Sequence, residues 1–311
     1  MIDIGLVIAR LLHYAAVTTL AGVSFFPLYS YAGTEPRTLF RWQQGMLLAG
    51  AVVALVSGLL WFVFSVANMS GTLADVTDPE VIWMVVHDTR FGRVWTARLV
   101  LSIITVGLFW NRVVSKFGPR RDLITPVLAA VLLISLAGVG HSQIEEGVEG
   151  IIHVVSDAVH LLAAGAWLGG LVPLGYILLL HGRERGPAQR SDLNEILLRF
   201  SGMGYVAVAA LIGSGLVNSW FLVGSVSGLL DTAYGQILFA KLVLFAGMLA
   251  LAVSNRFWLV PSMTNSRTDG RSGSTAWTAR LRNHVLSEQF LGLMVLLVVS
   301  VLGTMRPAIG Q

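Results

Sequence analysis

Eight stretches of nearly unbroken apolar sequence alternate with short polar turns along the chain. They run roughly over 4–30, 43–67, 92–111, 123–141, 150–180, 198–223, 236–258 and 285–305. About 20 apolar residues in a helix cross the hydrocarbon core of a bilayer, so each stretch reads as a span. The pattern predicts an all-α polytopic membrane protein with eight transmembrane helices. The longest connection, 68–91, carries the apolar stretch Val81–Val86 and predicts a short helix lying on the membrane surface. The first stretch opens Met-Ile-Asp-Ile without a basic leader, and reads as a retained helix rather than a signal peptide.

Composition sharpens this picture. Of 311 residues, 55% are hydrophobic and 12% charged, against about 25% charged in soluble domains. An ordinary soluble enzyme and a disordered chain are both excluded. Cysteine is absent. Disulfides, thiolate nucleophiles, thiolate metal sites and iron–sulfur clusters are excluded with it.

The charges are placed unevenly. Fifteen of the 21 Lys and Arg fall in the loops 31–42, 112–122, 181–199 and 256–284. The opposite loops hold Arg90 and Arg93 beside Asp75, Asp78, Glu80, Asp88, Glu145, Glu146, Glu149 and Asp231. The positive-inside rule then puts both termini outside, which for a bacterial inner membrane is the periplasm. The basic loops are accounted for by topology, and no nucleic-acid partner is expected; the expected partner surface is the lipid bilayer.

The two halves resemble each other. Residues 88–101 read DTRFGRVWTARLVL, and residues 231–244 read DTAYGQILFAKLVL. His13, Ala16 and Gly22 recur in spacing as His160, Ala163 and Gly169, and Ser57-Gly58-Leu59 recurs as Ser214-Gly215-Leu216. Three matches in one order predict a duplication: a first four-helix repeat over 1–141 and a second over 150–311. Four spans per unit make the repeats parallel, related by an axis along the membrane normal. His13 then matches His160, Arg10 matches Asp157, and Arg98 matches Lys241.

These matched positions are also the unusual polar ones. An ionisable side chain at depth costs about 2.5–3.5 kcal/mol, and by default faces the bundle with a partner. His153, Asp157 and His160 are spaced i, i+4, i+7 on one helical face. Arg10 and Asp157 are expected to neutralise each other as a structural ion pair between the halves. Arg98 and Lys241 sit only about five residues below the outer surface and read as snorkelling side chains. His87, His181 and His284 fall at loops or helix ends and read as ordinary. The small residues Ala163, Ala164, Gly165, Gly169 and Gly170 read as a close helix contact. Imidazole and carboxylate without thiolate suit copper or another borderline metal, and the same histidines can also hold haem axially.

Three segments carry a family resemblance. The stretch from Asp157 through His160 and Trp167 to Gly170 resembles the central helix of the copper resistance D (CopD) family of bacterial inner-membrane proteins. The segment Thr232-Ala-Tyr234-Gly235 through Lys241-Leu, and the segment Asn255-Arg256-Phe257 through Pro261, are similar to two further motifs of that family. The resemblance implies copper handling, often as uptake in concert with a periplasmic copper-binding CopC-type protein. It points to His160, Tyr234, Lys241 and Asn255 as motif residues.

The expectation is therefore a copper transporter serving copper homeostasis and resistance, not an enzyme, moving the ion from periplasm to cytoplasm. Entry would be at His141 and His153, with Asp157, His160 and His13 deeper. One alternative is a haem-binding redox or assembly protein carrying haem b between His13 and His160. Such a protein resembles the HemJ-type protoporphyrinogen oxidases in general layout. Another is a proton-coupled carrier that uses Arg10 and Asp157 as a switch.

Overall fold

A computed structural model describes residues 2–31, 37–115, 122–139, 147–181, 187–261 and 274–310. Among them there are helices and turns but no strand. The long helices are α1 (Ile2–Ser30), α2 (Arg37–Ser70), α4 (Arg90–Val114), α6 (Gly147–Ala164), α8 (Pro187–Val223), α10 (Ala233–Ser254) and α11 (Ser274–Leu302). Shorter ones are α3 (Pro79–Asp88), α5 (Ile124–Ile134), α7 (Leu171–His181) and α9 (Val226–Asp231). A π-helical turn over Gly165–Gly169 joins α6 to α7, and a second, over Asn255–Leu259, ends α10.

Among the described residues, seven helices are long and apolar enough to cross a membrane: Ile2–Ser30, Leu39–Ser70, Arg90–Val114, Gly147–Leu180, Leu193–Val223, Ala233–Leu259 and Trp277–Leu302. The eighth expected span is shorter. Ile124–Val139 is apolar, but α5 tightens after Ile134 into a 3-10 turn over Ser135–Val139. With 11 α-helical residues at 1.5 Å and 5 in the 3-10 turn at about 2.0 Å, it covers about 26 Å of a roughly 30 Å hydrocarbon core, and residues 140–141 of the expected stretch lie outside the described residues. Large apolar side chains stay exposed along the long helices, among them Ile103, Ile104, Val206, Leu216 and Trp220. Such an exterior suits a hydrocarbon solvent, because the helices satisfy their own backbone groups.

The repeated Asp-Thr-x-aromatic-Gly segment forms the same corner twice. Thr89 caps α4 by accepting from the Gly92 amide at 2.9 Å and donates to the Val85 carbonyl at 2.5 Å. Thr232 caps α10 by accepting from the Gly235 amide at 3.0 Å and donates to the Gly228 carbonyl at 2.6 Å. Each corner joins a short helix, α3 or α9, to a long one. Glycine is required at both: a Cβ on Gly92 would lie 2.0 Å from Val85 O, and one on Gly235 would lie 2.2 Å from Gly228 O. Trp83 and Met84 on α3 are exposed.

Among the described residues, two of the apolar cores that draw on α1 join it to different halves of the chain. One gathers Leu6, Ala9, Ala16, Val17, Ala54, Trp61, Trp95 and Leu132 from α1, α2, α4 and α5. The other gathers Phe26, Trp167, Leu171, Leu178, Phe200, Met248 and Val285 from α1 and the helices of the second half. Between them α1 crosses the α6–α7 element backbone against backbone. A Cβ on Gly22 would lie 1.9 Å from the Gly169 carbonyl carbon, and one on Gly169 would lie 2.1 Å from Thr18 O. The small-residue stripe is thus a close contact, as its composition suggested. Beside it, Tyr29 Oη donates to Ala166 O within the π turn at 3.0 Å, and Gln289 Nε2 donates to Leu171 O, at the start of α7, at 2.6 Å. Between α4 and α5, Arg112 pairs with Asp122. Partial burial opposes the Asp122 charge, but hydrogen bonds from Arg112, Thr125 and the Ile124 amide outweigh it and hold the carboxyl at about 2.

Candidate metal path

In the first half, His13 is buried and both its ring nitrogens are engaged. Nδ1 lies 2.9 Å from Ala54 O and 3.2 Å from Ser57 Oγ, and Nε2 lies 2.7 Å from an Arg98 guanidinium nitrogen. A carbonyl only accepts and a guanidinium only donates, so the partners fix a neutral ring with its proton on Nδ1. Arg98 is 2% exposed. It also donates to Leu132 O at 3.0 Å and to Ser135 Oγ. Snorkelling is therefore overturned for Arg98. The last turn of α5 and the His13 lone pair offer acceptors inside the bundle, which outcompete a route to the surface.

In the second half, His160 makes the equivalent first contact but not the second. Its Nδ1 lies 3.0 Å from Ser214 Oγ. Ser214 Oγ donates its own proton to Ala210 O at 2.5 Å, so it accepts from His160 Nδ1–H. The Nε2 lone pair has no hydrogen-bond donor among the described residues. One turn away, Asp157 Oδ1 accepts from Asn218 Nδ2 at 3.4 Å. Lys241 of α10 interacts electrostatically with both Asp157 and His160, and Tyr234 with Asp157. One turn further along α6 in the same direction, His153 stacks on Phe221 with ring centroids 4.8 Å apart. His153, Asp157 and His160 thus lie along one α6–α8 seam, with Ser156 donating to Ser214 O at 3.1 Å between them.

Several expected pairings are not made. Among the described residues no ion pair joins Arg10 to Asp157. The Arg10 guanidinium packs 5.1 Å from the Trp61 ring centroid and close to Gly303, while Asp157 takes Asn218. The physical reason is local: each charge finds a partner on the helix that its own helix already packs against, so none is needed across the halves. His13 and His160 do not converge on one ion either, because His13 has no nitrogen left to ligate it; the same engagement removes His13 as an axial haem ligand. His141 lies outside the described residues. No three of His, Cys, Asp and Glu converge as a metal-holding group among the described residues.

One cluster was not anticipated. Glu288 of α11 is 2% exposed. It accepts from Asn255 Nδ2 at 2.5 Å, and Asn255 Oδ1 lies 2.9 Å from His284 Nδ1. Glu288, Asn255 and Arg256 line a cavity of about 140 Å³ between α7, α8, α10 and α11, otherwise walled mainly by apolar side chains such as Trp167, Phe200 and Val285. Arg256 turns its Nε to Tyr205 Oη at 3.4 Å. A lone Glu inside the apolar stretch 285–305, one turn from His284, was the available signal.

Comparison with known proteins covers most of the chain, with residues 152–193, and so the His153–Asp157–His160 face, lying between the two matched family profiles. The family profile described as copper resistance protein D-like, N-terminal domain, matches residues 1–151, and that of copper resistance protein D matches residues 194–302. The chain is 31% identical over 300 residues to the inner membrane protein YebZ of Escherichia coli (strain K12), covering 96% of this chain and 97% of that one. It is 31% identical over 306 residues to the copper resistance protein D of Pseudomonas syringae pv. tomato, covering 96% and 95%. It is 30% identical over 248 residues to the copper transport protein CutJ of Bacillus subtilis (strain 168), covering 78% of this chain and 44% of that one. No solved structure matches. With near-full-length relatives at this identity, and both family profiles in order along it, the chain belongs to the copper resistance protein D family of multi-pass membrane proteins.

Proposed function

We propose that this chain carries copper ions across the bacterial inner membrane, from the periplasm to the cytoplasm, and acts as a carrier rather than an enzyme. In this reading both termini face the periplasm and the halves are duplicated four-helix units. A periplasmic copper-binding protein of the CopC type delivers the ion to the rim, at His141 and His153. The ion then passes Asp157 to His160.

The observation that carries the reading is the difference between the two matched histidines. His13 is closed by Arg98, whereas His160 keeps an Nε2 lone pair without a hydrogen-bond partner among the described residues, beside a carboxylate. Imidazole and carboxylate are ligands that copper accepts and exchanges. In the second half a lysine stands where the first has Arg98. Its point charge interacts with both Asp157 and His160, and leaves when they bind a cation more easily than a forked guanidinium held by three acceptors. The names of the relatives, copper resistance protein D and copper transport protein, support the cargo.

Two measurements test the reading together. Cells producing the chain should accumulate more copper than cells without it at equal external copper. A reporter fused after Gln311 should be active only if it works in the periplasm. Unchanged accumulation removes the transport reading, and cytoplasmic reporter activity reverses the entry side.

A further inference from the structure

The cluster at the far end of α10 has the construction of a metal site. Asn255 lies about 20 Å along the helix from Lys241, at 1.5 Å per residue, and so well away from the His160 seam. We propose that His284 and Glu288 are the two protein ligands of a second transition-metal site, oriented by Asn255, through which copper leaves the second half. This rests on the copper-carrier reading above and adds an exit to it.

Three observations meet here. His284 and Glu288 are spaced i, i+4 on α11, so they share a face with Cβ atoms about 5–6 Å apart. Asn255 serves both at once. Its Oδ1 accepts from His284 Nδ1–H, which leaves the Nε2 lone pair for a metal, and its Nδ2 donates to Glu288 Oε1, which leaves the second oxygen. Metal-bound histidines characteristically donate their other ring N–H to a fixed acceptor in this manner. Finally, Glu288 is buried on a membrane-spanning helix and forms no salt bridge among the described residues; Arg256 on the same cavity wall is turned to Tyr205. A buried carboxylate without a counter-charge is costly, and a bound cation supplies one. The cavity beside it gives the ion room.

The π turn explains why Asn255 is placed to do this. Asn255 opens the turn over Asn255–Leu259, and π-helical turns of this kind recur at functional sites. Two protein ligands leave the remaining positions to water or to the side chains of an acceptor. That suits hand-over, because a closed set of four would retain the ion. The imidazole and carboxylate pair belongs to the ligand class that binds copper, nickel and zinc.

The test uses the full chain purified in detergent, with Cu(II) as the probe, read by equilibrium dialysis and by electron paramagnetic resonance. Wild type should bind Cu(II) with a nitrogen-coupled signal at this site that persists in His160→Ala. Glu288→Gln retains the hydrogen bond from Asn255 and so preserves the packing; it should weaken that Cu(II) at least tenfold. His284→Ala should remove its nitrogen coupling, and Asn255→Ala should weaken binding about tenfold through lost orientation. Should Glu288→Gln and His284→Ala both bind with wild-type stoichiometry, affinity and spectrum, the cluster is a structural hydrogen-bond triad and the proposal is overturned. If in that case His160→Ala alone loses the ion, the carrier reading survives without this exit. If wild type binds no Cu(II) that any of these variants disturbs, both readings fall.

Discussion

His13 Nε2 accepts a hydrogen bond from Arg98 at 2.7 Å, and that one contact separates it from His160. The two histidines share a spacing, a serine partner and a protonated Nδ1. Only the first is sealed. Arg98 also donates to Leu132 O and Ser135 Oγ, so it ties α1, α4 and α5 together at a level where no water competes. Hydrogen bonds to charged groups contribute about 1.5–3 kcal/mol. Arg98→Ala, which leaves His13 Nε2 and Ser135 Oγ without their donor and opens a void while Leu132 O keeps Ser135 Oγ, should destabilise the protein by about 3 kcal/mol. Thermal unfolding of the purified variant in detergent reads this, and an unchanged midpoint would contradict the seal.

Arg10 and Asp157 are predicted to act independently. Arg10 rests on Trp61, and Asp157 on Asn218. The matched positions thus use two different chemistries, a cation over an aromatic face and a carboxylate accepting from an amide. A double-mutant cycle with Arg10→Gln and Asp157→Asn should give a coupling of at most about 0.5 kcal/mol, because the two share only the electrostatic neighbour Tyr14 and no hydrogen bond or ion pair. A charge-swapped double mutant should not recover the yield lost by either single change. Strong recovery would mean that the two charges do meet.

The crossing of α1 with the α6–α7 element depends on Gly22 and Gly169. A Cβ on Gly22 would meet Gly169 backbone at 1.9 Å, whereas one on Gly45 meets nothing within 4 Å. Backbone cannot give way as a flexible side chain does. Gly22→Ala should cost about 1–3 kcal/mol through forced separation of the helices. Gly45→Ala, on α2, should be neutral or slightly stabilising. Folded yield and thermal midpoint, measured side by side, check the contrast; equal effects would remove the crossing from the account.

Much of this architecture was legible in the pattern of apolar residues, because hydrocarbon leaves the backbone few alternatives to helix. The short helix Pro79–Asp88 was equally legible from Val81–Val86 between polar flanks. The fourth span is described only over Ile124–Val139, and apolar composition alone does not reveal that α5 passes into a 3-10 turn after Ile134. Depth alone suggested that Arg98 snorkels; what decides its direction is three acceptors drawn from distant segments, which periodicity cannot bring together. The Arg10–Asp157 pairing failed for a similar reason. The cost of a buried charge was sound, but which neighbour meets it depends on helix crossing. Glu288 was missed because a single acid in α11 looked like an isolated residue, and its partner Asn255 is 33 positions away, on a π turn that composition does not announce. The seam of His153, Asp157 and His160 was visible as a helical face, while the open Nε2 of His160 required the Ser214 geometry.

On the proposed reading, His160, with its open nitrogen, is the ligand through which copper passes. Copper accumulation in cells producing wild type or His160→Ala at matched protein levels tests it most directly. Cells producing His160→Ala should accumulate no more copper than cells lacking the protein. Accumulation at the wild-type rate in that variant would contradict it.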